Sequence, residues 1–173
     1  MSEIIKFRVL SDEDDNFLRD YQIPGDMTLR QMHDFVCADL GYDNRELCSF
    51  FLSDDKWGKL YEFTSVDMGM AESNDPSATP MTMDGITVGR LVVAPGDRLL
   101  YIFDQLEDRA LFFEAKDMHS PEEGLSYPRV QLANGQAPDQ YDAAKSHGSN
   151  SIFEEAMGDY NDFEGDDYFS DDE

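Results

Sequence analysis

Chemistry at neutral pH needs groups that exchange protons, attack electrophiles or hold metals. Outside its carboxylates this chain offers few: three histidines and two cysteines among 173 residues. His33 is the one histidine inside a segment of helical periodicity, beside Met32 at the edge of an apolar stripe, whereas His119 and His147 fall in loop-like sequence. A catalytic histidine exchanges protons with a positioned partner. No spacing here supplies one, so His33 reads as a partly buried structural residue, hydrogen-bonded to the strand around Arg19 or to a carboxylate. Cys37 and Cys48 stand eleven residues apart with no paired histidine, which is not a zinc pattern. Neither has an adjacent base to make a thiolate, and both read as reduced core residues.

The carboxylates do not fall into a calcium loop. A loop opening at Asp162 puts Glu173 at its twelfth place, but Gly165 then sits fourth where a sixth-position glycine is required. There is no Gly-x-Ser-x-Gly elbow and no Walker-type loop, and Pro95-Gly96-Asp97 is a turn. No cofactor is implied. Trp57, with Tyr61 and Phe63, is either an aromatic ligand platform or core packing, and packing is the commoner fate of strand aromatics.

The elements that would position these groups read as one α+β body. Ile5, Phe7 and Val9 alternate with Lys6 and Arg8, giving a half-buried strand. The run from Asp12 to Asp15 reads as a solvated turn, and residues 16–23 as the returning strand of a hairpin. Thr28 with Gln31 makes a capping box, Gly41 a helix stop, and Leu29, Met32, Val36 and Leu40 one apolar stripe between them, which predicts a helix over 29–40. Strands follow near 47–53 and 57–63, joined at Ser53-Asp54-Asp55-Lys56. Residues 67–85 have no period and read as a long loop. A helical turn at 87–93, a hairpin of 99–103 with 110–115 and a weak strand at 128–132 complete the body. The expected architecture is a mixed or mostly antiparallel sheet with the 29–40 helix on one face. The order strand–strand–helix–strand also suits a β-grasp-like arrangement.

Charge separates this body from the C-terminal stretch. Asp and Glu number 38 against 13 Lys and Arg, a net −25, and mean hydropathy is −0.56. Such a field repels nucleic-acid phosphates and anionic membrane surfaces and favours basic partners. No apolar run reaches the length of a membrane span. The N-terminus Met1-Ser2-Glu3-Ile4 has no signal-peptide pattern, so a cytoplasmic protein is expected. Composition shifts near residue 141, dividing the chain into an α+β domain, 1–140, and an acidic aromatic tail, 141–173, expected to be flexible and disordered. Residues 154–173 carry ten acids and no base, leaving −15 on the rest.

Three stretches resemble the plasmid pRiA4b ORF-3-like family over roughly residues 3–140. The first runs through Arg19, Ile23-Pro24, Thr28-Leu29, Met32-His33 and Gly41-Tyr42. The second holds Pro95-Gly96-Asp97, Tyr101, Phe103 and Asp104, and the third Pro128, Gly135, Pro138 and Asp139. The resemblance implies one compact α+β domain and no assigned activity. His33, Trp57 and Asp104 are the residues it would place in a family pocket. The chain departs from the family's pattern at Glu46-Leu47-Cys48, where a histidine is common. It departs again at Asp104-Gln105-Leu106-Glu107-Asp108-Arg109, where Asp-Phe-Gly-Asp-x-Trp is common.

The functional expectation is a non-catalytic interaction module for a protein with a basic surface. The alternatives are a hydrolase or small-ligand enzyme assembled only by folding, and a DNA mimic. Rings recur inside the acidic run: Phe153, Tyr160, Phe163, Tyr168 and Phe169. Plain solvating tails are poor in aromatics. Ser151 and Glu154 form a capping box and Gly158 a stop, so a short nascent helix is expected there, too short to stand alone. Solubility is the competing role. Folding back onto the acidic body is a third, and it requires the body's few Lys and Arg to cluster.

Overall fold

In the computed structural model, residues 3–66 and 81–141 are described. Their strands form a single eight-stranded sheet in the order β5-β4-β3-β6-β7-β1-β2-β8. β1 (Ile4–Ser11) and β2 (Leu18–Pro24) make the first hairpin, and β3 (Ser49–Ser53) and β4 (Lys59–Thr64) the second. β6 (Arg98–Asp104) and β7 (Arg109–His119) make the third, and β8 (Arg129–Asn134) extends the β2 edge. Among the described strands, β5 (Met81–Thr82) alone pairs in parallel, with β4, so the sheet is mixed but mostly antiparallel. The order β1–β2–α1–β3 is present, within a sheet where β1 lies antiparallel to both β2 and β7.

Helix α1 (Leu29–Leu40) begins and ends at its sequence signals. The Thr28 hydroxyl accepts from the Gln31 amide at 3.1 Å, and the Gln31 side chain accepts from the Thr28 amide at 3.0 Å. Gly41 takes the left-handed conformation at φ 78°, and its amide closes on Cys37. Leu29, Met32 and Val36 are fully buried, as the stripe predicts, but the buried face turns toward His33 and Cys37, leaving Leu40 half-buried at its edge. Val36→Ala is therefore expected to lose about 2–3 kcal/mol and Leu40→Ala about 1 kcal/mol in urea unfolding. Equal losses at both would mean that the helix is rotated from this orientation.

Residues 81–85 depart from the expected loop. Met81 and Thr82 pair with Phe63 and Thr64, and a 3-10 turn at Met83–Gly85 follows. Met83 is fully buried in the common core, which anchors the segment where periodicity gave no sign of it. The rest of the 67–85 stretch, residues 67–80, lies outside the described residues. The short helix α2 (Val88–Leu91) packs so close that the Gly89 amide donates to Gly25 at 2.8 Å. The acidic run at 12–15 is not simply a solvated turn. Asp14 is buried and caps the Asn16 amide at 2.9 Å, and Glu13 binds Arg109. Both acids serve the chain's own donors, which composition alone does not reveal.

The sheet's two faces differ. Phe7, Val9, Tyr21, Phe50, Tyr101 and Phe113 share one core with α1, the 3-10 turn and α2. Alternate strand residues point to the other face, and no described helix packs there. Cross-strand register lines that face with rows. Phe51, Leu100, Phe112, Leu10 and Leu18 are successive partners across β3, β6, β7, β1 and β2. The adjacent row reads Arg98, Glu114, Arg8 and Asp20.

Candidate functional site

Arg19, Gly41, Tyr42, Pro138 and Asp139 of the family pattern line one cleft where α1 stops. Arg19 projects from the core side of β2, with its side chain 9% exposed. Its Nε donates to Asp39 Oδ2 at 3.0 Å, and its Nη1 donates to the carbonyls of Leu18, Asn134 and Gly135. The Tyr21 hydroxyl donates to the same Asp39 oxygen at 2.7 Å. Burial, reinforced by that carboxylate, raises the Tyr21 pKa far above the usual phenol range. Gly135 sits here at φ 75°, its α-carbon so near the chain that enters β2 that an added Cβ would stand 2.6 Å from the Asn16 carbonyl oxygen. Only glycine fits this approach.

The segment after β8 is clamped in turn. The Tyr42 hydroxyl donates to the Pro138 carbonyl at 2.6 Å, and burial raises its pKa too. The Gln140 side chain bridges the Asp43 amide and carbonyl. These contacts frame a cleft of about 530 Å³ lined by Arg19, Asp39, Tyr42, Gln136, Asp139 and neighbours. A second hollow of about 310 Å³ shares Gln140 and Tyr141 with it and includes Asp104, Glu46 and Phe103.

Asp104 lines this second hollow, and its carboxylate is occupied. Arg109 donates to it at 3.2 Å and forks onto Glu13 at 2.9 and 2.8 Å. The same guanidinium donates to the carbonyls of Asp139 and Gln140 and lies 4.8 Å from the Phe103 ring. Burial works against the Arg109 charge, but Glu13 and then Asp104 outweigh it and raise the pKa. Arg109 carried no signal in the sequence, because Glu13 lies 96 positions away.

Neither His33 nor Trp57 lines the hollow that holds Asp104. His33 is fully buried. Its Nε2 meets the Asn44 carbonyl at 3.1 Å and its Nδ1 meets the Tyr101 hydroxyl at 2.8 Å. A carbonyl only accepts, so Nε2 carries the proton and Tyr101 donates to Nδ1. The partners are therefore a hydroxyl and a loop carbonyl, not the Arg19 strand or a carboxylate. Burial lowers the His33 pKa, and the ring is held neutral. Cys37 Sγ lies 3.3 Å from the Tyr101 hydroxyl. Burial raises the Cys37 pKa and pushes Cys48 up to about 12. Both thiols are free and buried, and such thiols are poor nucleophiles. His119 is the last residue of β7 rather than a loop residue.

Trp57 separates from Tyr61 and Phe63. Phe63 is core and Tyr61 packs edge-on against it at 5.1 Å. Trp57 sits in the β3–β4 turn at φ 66°, edge-on to Phe112 at 5.1 Å and 4.5 Å from the Arg98 guanidinium. The turn explains this: the Asp54 carboxylate takes the amides of Lys56 and Gly58, which swings Trp57 onto the face away from α1. Phe153, Tyr160, Phe163, Tyr168, Phe169 and the expected helix before Gly158 lie outside the described residues, as does His147.

Chemically, the cleft is a set of satisfied ties. Asp39 and Asp104 already accept from buried cations, and Tyr42 already donates. Among the described residues no group of three or more His, Cys, Asp or Glu is placed to hold a metal ion. Residues 3–169 match the family described as plasmid pRiA4b ORF-3-like protein. The chain belongs to that family. The match runs beyond residue 140, across most of the acidic aromatic stretch. Within the ORF-3-like pattern, Arg109 stands where the resemblance places a Trp, and its ion pairs take up Asp104. A comparison with curated proteins gives no match. Among solved structures the chain is similar to MM3350 from Methanosarcina mazei Go1, a protein of unknown function. That similarity has 15% identity and a TM-score of 0.60 over 77% of this chain and 70% of that one, which shows a shared fold.

Proposed function

We propose that this ORF-3-like protein is a non-catalytic interaction module, with a folded domain over 1–140 and a binding stretch over 141–173 that engages a partner with a basic surface. The observation that carries the reading is the charge and ring pattern within that stretch: residues 154–173 hold ten acids, no base, and large rings at Phe163, Tyr168 and Phe169 among them. Charge steers the encounter and rings supply contact area. The body is consistent with this role. The cleft beside Arg19 is tied by internal ion pairs, and the buried histidine and thiols serve the core. No described helix is long and apolar enough to cross a membrane. Direct nucleic-acid binding is disfavoured by the net charge of −25.

The test replaces Tyr160, Phe163, Tyr168 and Phe169 with serine and keeps every charge. Affinity capture from extract with the full chain should retain a salt-sensitive partner that the variant loses. Identical capture by both would reduce the stretch to a solvating appendage.

A further inference from the structure

The sheet face away from α1 is unlike the rest of this acidic chain. Its apolar row spans five adjacent strands, with Leu10 44% exposed and the Phe51 and Phe112 rings half-buried. Cations stand over its rings: Lys59 Nζ lies 5.0 Å from Phe51, and Arg98 4.5 Å from Trp57. Arg8, Lys59, Arg98 and Lys116 gather here, with Lys6 in a neighbouring row opposite Asp117. Asp20 pairs with Arg8, Asp108 with Lys59, and Glu114 serves both Arg98 and Lys116. Glu62, bonded to Ser49, adds a further acid. The face is close to neutral in a chain where acids outnumber bases 38 to 13. Arg8, Lys59 and Lys116 keep 39%, 39% and 43% of their side chains exposed, open to a second carboxylate. The buried Nε of Arg98 has no acceptor among the described residues.

We propose that the chain's own residues 153–169 dock across this face, setting rings on the apolar row and carboxylates beside Arg8, Lys59 and Arg98, so that a basic partner competes for them. The inference rests on reading that stretch as a binding element, and it adds an internal competitor to it. The clustering of bases removes the electrostatic objection to folding back. Apolar contact and cation–carboxylate pairing both fit the stretch, where Tyr160, Phe163 and Tyr168 alternate with acids. Length permits it. From Tyr141 to Phe153 an extended chain covers about 40 Å, and eight strands at about 4.8 Å spacing span about 34 Å between the edge strands.

Trp57 is the chain's single tryptophan and lies on this face, so it reports on cover there. Acrylamide quenching of Trp57 is measured in the full chain, in the four-ring serine variant and in Leu10→Asp, which places a negative charge in the apolar row. Docking predicts that quenching rises by about twofold in both variants, as a covered site opens, and that salt raises it in the native chain. Equal quenching in the native chain and the four-ring variant overturns the docking. A rise in the four-ring variant alone overturns its assignment to this row. Partner capture is read separately: capture lost with Trp57 unmoved sinks docking and leaves the binding reading standing. Trp57 uncovered with capture unchanged does the reverse.

Discussion

Phe113→Ala is expected to remove about 3–5 kcal/mol of stability, the upper range for a buried aromatic. Phe113 is fully buried in β7 at the point where the sheet's rings meet. Phe7, Phe50, Tyr101 and Tyr21 stand around it at 5.8, 5.7, 6.2 and 6.3 Å between centroids. These rings come from β1, β3, β6 and β2, so the cavity left by alanine opens between four strands that cannot all collapse into it. The neighbour Phe112 is the control. It points to the other face and is half-buried, so Phe112→Ala should cost clearly less in the same urea titration. Comparable losses at the two positions would contradict the assignment of β7's faces.

Arg109→Ala is expected to cost about 3 kcal/mol, mostly from what it leaves behind. Its side chain is 6% exposed, and Glu13 and Asp104 keep only 20% and 14% exposure. Without the guanidinium two half-buried carboxylates face each other, and the carbonyls of Asp139 and Gln140 lose their donor. Arg109→Lys should recover only part of the loss, since an ammonium cannot fork onto Glu13. Hydrogen exchange supplies a local readout: amides of residues 139–141 should lose protection in the alanine variant. Full protection there, with stability unchanged, would mean that the network does not hold this segment.

These two residues mark what the sequence could and could not express. The strand that carries Phe113 was legible as a short apolar run at 110–115, but Leu111-Phe112-Phe113 has no polar alternation to say which ring faces the core. Helix α1 was legible to the residue because Thr28, Gln31 and Gly41 each have a local physical role at its ends. Arg109 was not legible, since its partners are distant in sequence and meet only when β1, β6 and the segment after β8 come together. His33 was readable as structural, but its partners Tyr101 and Asn44 were not, being 68 and 11 positions away. The rows on the outer face need the register of five strands, which periodicity within one strand does not contain. The strand at Met81–Thr82 was hidden because two residues are too few to show a period.

The most direct test of the account is the salt dependence of partner capture by the full chain and by the variant carrying serine at Tyr160, Phe163, Tyr168 and Phe169. The account predicts that the full chain binds a basic protein whose affinity falls by about tenfold or more from low to high salt, because the exposed charges that steer it are screened. The variant keeps the net charge of −25 but should lose that partner even at low salt, since charge without rings supplies encounter and little contact. Binding that survives ring removal, or that ignores salt, would contradict the claim that this acidic aromatic stretch is the protein's interaction element.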